Sequence, residues 1–403
     1  MKDIYERNFR MKQVRLAVVG LGQRGMGLLG GVILGNEKAD VVAVCDIYED
    51  RVKEGQDKVR EMRNKDVFGS VDYKDVIVRE DVDVVAVLSA WESHIPIALA
   101  AMEAGKDVAM EVGGAYTVEQ CWDLVNTAER TGRQVMFLEN CCYGRKELTI
   151  LNMVQKGVFG EIVHCAGGYM HDLRDEIAEG KERRHYRLRN YLNRNCENYP
   201  THELGPIARV LGINKGNRMV SLTSTASKAA GLHQYILEKK ADDKELVNAS
   251  FAQGDIVTTV IKCAGGETIT LQLDTTLPRA YCRGFTVRGT KGMYEEANNS
   301  VFLDGGDHFA KKWDNLGEYE NEYLHPIWKK YLDDGVKGGH DGMDWLEFDR
   351  FFDCALEGRP YEIDVYDAAS WMVISVLSEK SIALGSMPVE IPDFTKGEWI
   401  TRR

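Results

Sequence analysis

The sequence lacks every spacing that would announce a metal or disulfide framework. It has no Cys-x-x-Cys, no His-Glu-x-x-His and no pair of histidines four apart. Its nine cysteines are scattered, with only Cys141 and Cys142 adjacent. An odd number without a repeating spacing implies reduced thiols, not a zinc ribbon or a disulfide scaffold. No apolar run reaches the roughly 18 residues that a membrane span requires, and none of the segments repeats or is of low complexity. Basic charge is also in deficit: 51 Lys and Arg stand against 63 Asp and Glu, a formal net charge of −12. That balance argues against nucleic acid or an anionic membrane as partner. The opening segment MKDIYERNFRMKQ is charged and has no apolar core of a signal peptide, so a cytoplasmic location is expected.

What is present has the texture of a two-domain α/β protein. The chain has 403 residues, of which 44% are hydrophobic and 28% charged. Short, β-branched apolar runs at 14–20, 41–46, 82–89, 107–112 and 134–140 alternate with helical stretches such as 95–106, which Gly105 stops. Strands that are apolar on both faces and separated by helices predict a doubly wound parallel sheet. Beyond residue 150 the runs lengthen and alternate in polarity, at 162–171, 219–227, 255–265, 267–276 and 284–296. Those predict an open, mainly antiparallel sheet with one exposed face, followed by a helix over 366–385. The expected architecture is an N-terminal Rossmann domain at 1–141 and a C-terminal α+β domain at 142–403, whose last helix packs back on the first. The open face predicts a homo-oligomer.

The first strand runs into GLGQRG, a Gly-x-Gly-x-x-Gly at Gly20, Gly22 and Gly25 that opens a helix. Such a turn lets backbone approach a pyrophosphate at a helix N-terminus. Asp46 ends the second strand, where a carboxylate accepts ribose hydroxyls and repels the extra phosphate of NADP. The cofactor expected is therefore NAD, although Arg24 in the turn is also able to meet a phosphate. WESH, Trp91 to His94, and Glu111-Val112 follow later strands at the same mouth of the sheet. For Trp91 and His94 the plainer reading is a helix N-terminus with a packed aromatic.

The other conspicuous stretch is NYPTHELGP, residues 198–206, in which Pro200 and Pro206 bracket His202. Alone it is a polar residue at a helix start. Titration near neutral pH also makes it a candidate proton acceptor. By pattern alone the tyrosines elsewhere read better as half-buried rings with satisfied hydroxyls than as catalytic groups. His164 and His171 stand seven apart on a predicted strand and make a poor metal pair. His340, in the glycine-rich GGHDGMDW, either covers a site or is an exposed loop residue.

Taken in order, GLGQRG, AVCD, WESH, LENCCYGR and YPTHELGP resemble the Gfo/Idh/MocA oxidoreductases. The longer matches LENCCYGRKELTILNMVQKGVFGEIVH, GYMHDLR, YPTH and PRAYCR resemble, more narrowly, glycoside hydrolase family 109, the NAD-dependent α-N-acetylgalactosaminidases. The resemblance implies NAD contacts at Arg24, Gly25, Asp46, Trp91, Glu92, Ser93, His94, Glu111, Val112 and Asn140. It implies sugar contacts at Tyr169, Arg187, Tyr199, Pro200, Thr201, His202 and Tyr281, with Arg184, Arg189 and Arg194 as rivals of Arg187. Ordinary dehydrogenases of the superfamily carry Glu-Lys-Pro where this chain has Glu111-Val112-Gly113, and an aspartate at the place of Asn198. The implied reaction is hydrolysis without net redox change: oxidation at sugar C3, loss of the C2 proton with departure from C1, addition of water, and reduction. His202 is implied as base at the C3 hydroxyl, with Tyr169, Tyr199 or Tyr281 for the C2 proton or for assisting the leaving group. Glu203 stands where the family has glycine, and next to His202 it bears on proton affinity and sugar preference. The alternatives are a sugar 3-dehydrogenase and a non-catalytic NAD(H)-binding regulator.

Overall fold

The computed structural model describes residues 12–305 and 312–402. The opening segment, read above for a signal peptide, lies largely outside them. The chain divides into two compact units, Met1–Gly144 with Lys330–Ala369, and Arg145–Lys329 with Ser370–Arg403. The sequence suggests a single cut near residue 141, whereas the first unit also takes a segment from near the C-terminus. The second division falls inside the helix Val365–Ala383.

The first unit is built on six strands: β1 Val14–Val19, β2 Ala39–Cys45, β3 Phe68–Ser70, β4 Val84–Val87, β5 Asp107–Glu111 and β6 Val135–Leu138. Their order is β3-β2-β1-β4-β5-β6 and every pairing is parallel. Every residue of β4 and β6 is buried, as expected of strands covered on both faces. The helices between them use ordinary signals. Thr117 Oγ1 caps Val118–Thr131 by accepting from Gln120 N, and Gly132 in the left-handed region ends it. β3 escapes sequence reading because Phe-Gly-Ser is too short to show a pattern. Strand order reverses between β1 and β4, so the turn after β1 lies at the switch point where such sheets bind ligands. The returning segment supplies the helix Met343–Glu357, which buries Phe348, Phe351 and Phe352. Asp349 on that helix accepts from Asn36 and Lys38.

The second unit holds β7 Ile162–Met170, β8 Met219–Ala226, β9 Ile256–Cys263, β10 Thr268–Asp274, β11 Thr286–Gly289, β12 Gly292–Glu295, β13 Ser300–Leu303, β14 Asp314–Asn315 and β15 Val389–Glu390. They form one sheet in the order β14-β13-β12-β11-β7-β10-β9-β8-β15. Only β7 and β10 run parallel. The stretch 284–296, which reads as one strand, is a hairpin: Thr286 pairs with Glu295 across a turn at Thr290 and Lys291. β9 alternates buried and exposed along its length, the signature of a sheet with one covered face. On the covered face the helix Thr201–Leu211 packs against β7. Among the described residues no helix is long and apolar enough to cross a membrane.

Candidate active site

In the first unit the glycine turn is shaped by close backbone approach. Gly20 has φ +103°, and a Cβ there would lie 2.4 Å from the Ser89 nitrogen. A Cβ on Gly25 would lie 2.0 Å from the Gly20 carbonyl oxygen, so neither position admits a side chain. Gly22, the N-cap of the helix Gln23–Leu28, opens toward free space, with only Arg51 Nη1 at 3.6 Å. Asp46 is buried at the end of β2, where its Oδ2 accepts from Leu21 N at 2.8 Å and its Oδ1 from Tyr48 N at 3.1 Å. One carboxylate thus ties the turn to the second strand and keeps lone pairs for ribose hydroxyls. A bare helix start, a cradle that a Cβ would fill and an acid at the second strand fit the dinucleotide.

Arg24 is engaged by protein groups. Its Nε donates to Glu111 Oε1 at 2.7 Å, and its Nη1 and Nη2 donate to Asp344 at 2.8 and 3.0 Å. Asn140 Nδ2 donates to Asp344 Oδ1 at 2.7 Å, and His340 Nδ1 lies 2.7 Å from Oδ2. The hydrogen bond to Asp344 raises the His340 imidazole, while His340 and Arg24 hold Asp344 below the usual carboxylate range despite its burial. Asn140, Glu111 and Arg24 are therefore joined through Asp344, a residue without a role in the sequence reading. No local signal marks it, because it lies some two hundred residues further along the chain.

Trp91 and His94 are packed residues. A Cβ on Gly113 (φ +83°) would lie 2.7 Å from Trp91 Nε1, and one on Gly114 would lie 2.7 Å from the His94 Cβ. His94 is buried, with Nε2 2.8 Å from the Ser89 carbonyl and Nδ1 3.3 Å from that of Gly113. Burial lowers its imidazole, against the opposing pull of the two carbonyls. Ser93 Oγ donates to Ala90 O at 2.7 Å, Glu92 is exposed in the first helical turn, and Val112 is buried after β5.

The second unit gathers most of the expected sugar residues into one aromatic cluster. Tyr169 ends β7, and its ring lies 4.5 Å from Tyr199, 5.5 Å from His202 and 6.5 Å from Tyr281. The Tyr199 hydroxyl is 3.3 Å from His202 Nε2. The buried Arg187 guanidinium lies 5.1 Å from the Tyr199 ring centre and 5.9 Å from that of Tyr169. Its Nε is 2.7 Å from Glu176 Oε1. The rival arginines sit elsewhere: Arg194 pairs with Glu379 at 2.7 Å, Arg189 is exposed and Arg184 occupies a left-handed turn. Pro200 is the N-cap of the helix that begins at Thr201, a buried residue, with His202 in its first turn. Pro206 lies inside this helix, where its missing N–H faces the His202 carbonyl four residues back.

Four placements differ from what the sequence suggests or were missed by it. His171, weighed only as half of a metal pair, stands with Nδ1 3.1 Å from the Tyr169 hydroxyl and its ring 5.0 Å from Tyr281. Burial and then Arg187 lower its imidazole. His164 instead binds Thr268 Oγ1 at 2.8 Å, since seven residues along a strand is an odd step that changes face. Glu203 is fully buried with its side chain against Gly167 of β7, away from the aromatic cluster. Asn198 donates to Gln253 Oε1 at 3.1 Å, so the amide is part of the buried frame.

A Rossmann unit followed by a unit on an open, mainly antiparallel sheet has the architecture of the nucleotide-binding oxidoreductase class. Residues 14–138 match the oxidoreductase family with an NAD-binding Rossmann fold, and residues 143–401 match the glycosyl hydrolase 109 C-terminal domain. A glycosyl hydrolase family 109 protein of Stenotrophomonas maltophilia is 38% identical over 98% of this chain and 92% of its own length. An alpha-N-acetylgalactosaminidase of Tannerella forsythia is 38% identical over 97% of this chain and 88% of its own. The chain belongs to glycosyl hydrolase family 109. Solved structures share the fold at low identity. A levoglucosan dehydrogenase in complex with NADH and levoglucosan superposes with TM-score 0.71 at 16% identity, covering 94% of this chain and all of that one. An NAD-binding oxidoreductase from Klebsiella pneumoniae gives 0.72 at 14% identity, covering 95% of this chain and all of that one.

Proposed function

We propose that the chain hydrolyses α-linked N-acetylgalactosaminides, using NAD as a resident cofactor with no net redox change. The observation that carries this reading is the second unit's cluster, in which Tyr199 and His202 touch beside a buried arginine. A direct glycosidase needs two carboxylates flanking the bond. One carboxylate beside this cluster, Glu176, is paired with Arg187, and a second, Asp172, with Arg174. The name of the Tannerella forsythia relative supports the sugar and the linkage.

The Gly20–Gly25 turn, Asp46 and the Arg24–Glu111 pair would hold NAD, which when bound supplies a reversible two-electron acceptor. His202 Nε2 receives the proton of the sugar C3 hydroxyl, and Tyr199 or Tyr281 takes the proton at C2. Arg187 provides the positive charge that a tyrosine base requires, and Tyr169 stacks on the sugar. Tyr281, 53% exposed, is the member most open to solvent and able to move with substrate. Nine unbridged thiols fit a cytoplasmic location. The exposed row Thr258, Val260 and Lys262 on β9 is assigned to a second copy of the chain, which sedimentation tests.

The test is a panel of chromogenic α- and β-glycosides, with and without NAD⁺, read for both chromophore and NADH. Catalytic chromophore release without net NADH supports the reading, as does failure on the 3-deoxy sugar. Equal cleavage of the 3-deoxy and parent sugars overturns it. Stoichiometric NADH with a free sugar would instead identify a sugar 3-dehydrogenase, a reaction that Val112 at the expected lysine position argues against.

A further inference from the structure

Beneath the aromatic cluster the second unit buries a separate group of charges that the proposed chemistry does not use. Arg283 pairs with Glu147 on the helix Arg145–Gln155, both shielded from solvent. Its Nε is 3.9 Å from Glu203 Oε2, and its Nη2 is 3.8 Å from Glu296 Oε1. Glu296 in turn accepts from Phe285 N at 3.0 Å. The buried Tyr294 phenol is raised by its burial and by the charges of Glu147, Glu296 and Glu203. Three carboxylates thus converge on one guanidinium, in a setting where a surface ion pair's screening is lost.

The covalent neighbours of these charges are the residues of the cluster. Arg283 is two residues beyond Tyr281, and the Cys282 between them bridges Met170 in antiparallel register. The Arg283 carbonyl accepts from Gly168 N at 2.8 Å, one residue before Tyr169. Glu203 follows His202, and its Cγ lies 1.8 Å from where a Cβ on Gly167 would stand. Gly167 therefore exists to let the Glu203 side chain cross β7 toward Arg283. His202 and Tyr281 lie within two residues of Glu203 and Arg283, and Tyr169 follows Gly168, whose N–H donates to the Arg283 carbonyl.

We propose that Arg283 and Glu203 are positioning residues: their buried pairing sets where His202 stands relative to Tyr169 and Tyr281. The alternative is an ion network that supports the fold and leaves the cluster indifferent to it. The proposal rests on the glycosidase reading only for its kinetic arm.

Three variants decide it: Glu203→Gln, which keeps volume and removes charge, Arg283→Met, and Arg283→Lys. Misplacement of a reacting group by about 1 Å costs on the order of 10²-fold in rate. Arg283→Met is expected to lose about that much kcat and Glu203→Gln about tenfold, with KM within about twofold, and Arg283→Lys to recover part of the loss. The second arm needs no substrate. In protein labelled at His and Tyr, ring-to-ring NOEs from His202 to Tyr169 and Tyr199, assigned by their absence in His202→Gln, weaken in Glu203→Gln and in Arg283→Met, and in Arg283→Lys lie nearer the parent than in Arg283→Met. Parental NOEs in folded Glu203→Gln overturn the proposal, as does parental kcat there with only the melting temperature lowered. Should Arg283→Met not fold, Glu203→Gln alone decides between positioning and mere support. A parent that cleaves no glycoside would sink the glycosidase reading and leave the NOE arm to decide positioning.

Discussion

Glu197, five residues before His202, makes a prediction that can be worked through from the structure. It is fully buried, its backbone N–H donates to Ser378 Oγ at 2.8 Å, and neither carboxylate oxygen has a well-formed hydrogen bond. Burial raises the carboxyl from its ordinary 4.5 to about 8, with the Leu273 backbone alone favouring the charged form. The folded protein therefore holds this proton at neutral pH while the unfolded chain releases it. Stability from this group is fully present below pH 4.5 and is lost as pH rises toward 8. Each pH unit in that window costs the native state ~1.4 kcal/mol, so the loss is about 3 kcal/mol by pH 7 and under ~1 kcal/mol at pH 5. Glu197→Gln removes the titration and leaves other groups unchanged, so the difference between variant and parent isolates it. A domain of this size shifts about 2–4 °C per kcal/mol. The melting temperature of the second unit in Glu197→Gln should thus gain roughly 5–10 °C on the parent between pH 5 and pH 7. Calorimetry across pH 5–8 measures this directly. Parallel pH profiles for the two proteins would refute the reasoning, because they would show that Glu197 ionises without cost where it stands.

Other outcomes are expected on function and on the first unit. His202→Ala should lower kcat about 10²–10⁴-fold with unchanged circular dichroism, the usual range for a lost general base; steady-state assays on the best chromogenic glycoside would show it. Asp46→Ala removes the acceptor that holds Leu21 N and would meet the ribose of the proposed NAD, whose affinity should fall about 10–100-fold in a fluorescence titration, or about 1.4–2.7 kcal/mol. Gly113→Ala places a methyl 2.7 Å from Trp91 Nε1 at a φ of +83°, and should cost about 1–3 kcal/mol in calorimetric stability of the first unit.

Much of this protein was legible without coordinates because its signals are local. Gly20, Gly25 and Asp46 lie within one β-α-β unit, so their spacing carries the cofactor turn directly. The apolar runs of β1, β2, β4, β5 and β6 could be read because strands buried on both faces carry few polar positions, here only Arg15, Asp40, Asp107 and Glu111 at or near their ends. The family match brought Tyr169, Tyr199, His202 and Tyr281 forward by motif, and the structure gathers all four. What escaped was non-local or needed direction as well as position. β3 is three residues long, and the turn at Thr290 and Lys291 carries too little to split one apparent strand into β11 and β12.

The sequence by itself determined the two kinds of sheet, the glycine turn with its acid, and the histidine at a helix start, since each follows from periodicity or spacing within a few dozen residues. Tertiary structure alone decided which way the side chains face and what they meet. It turned Glu203 from His202's neighbour into Arg283's partner, because successive helical residues point about 100° apart. It brought Asp344 to Arg24 and Asn140, and set His171 beside Tyr169 while His164 took the opposite face of β7. Pairings across hundreds of residues leave no trace in local pattern, and they arise only when the strands and helices have packed.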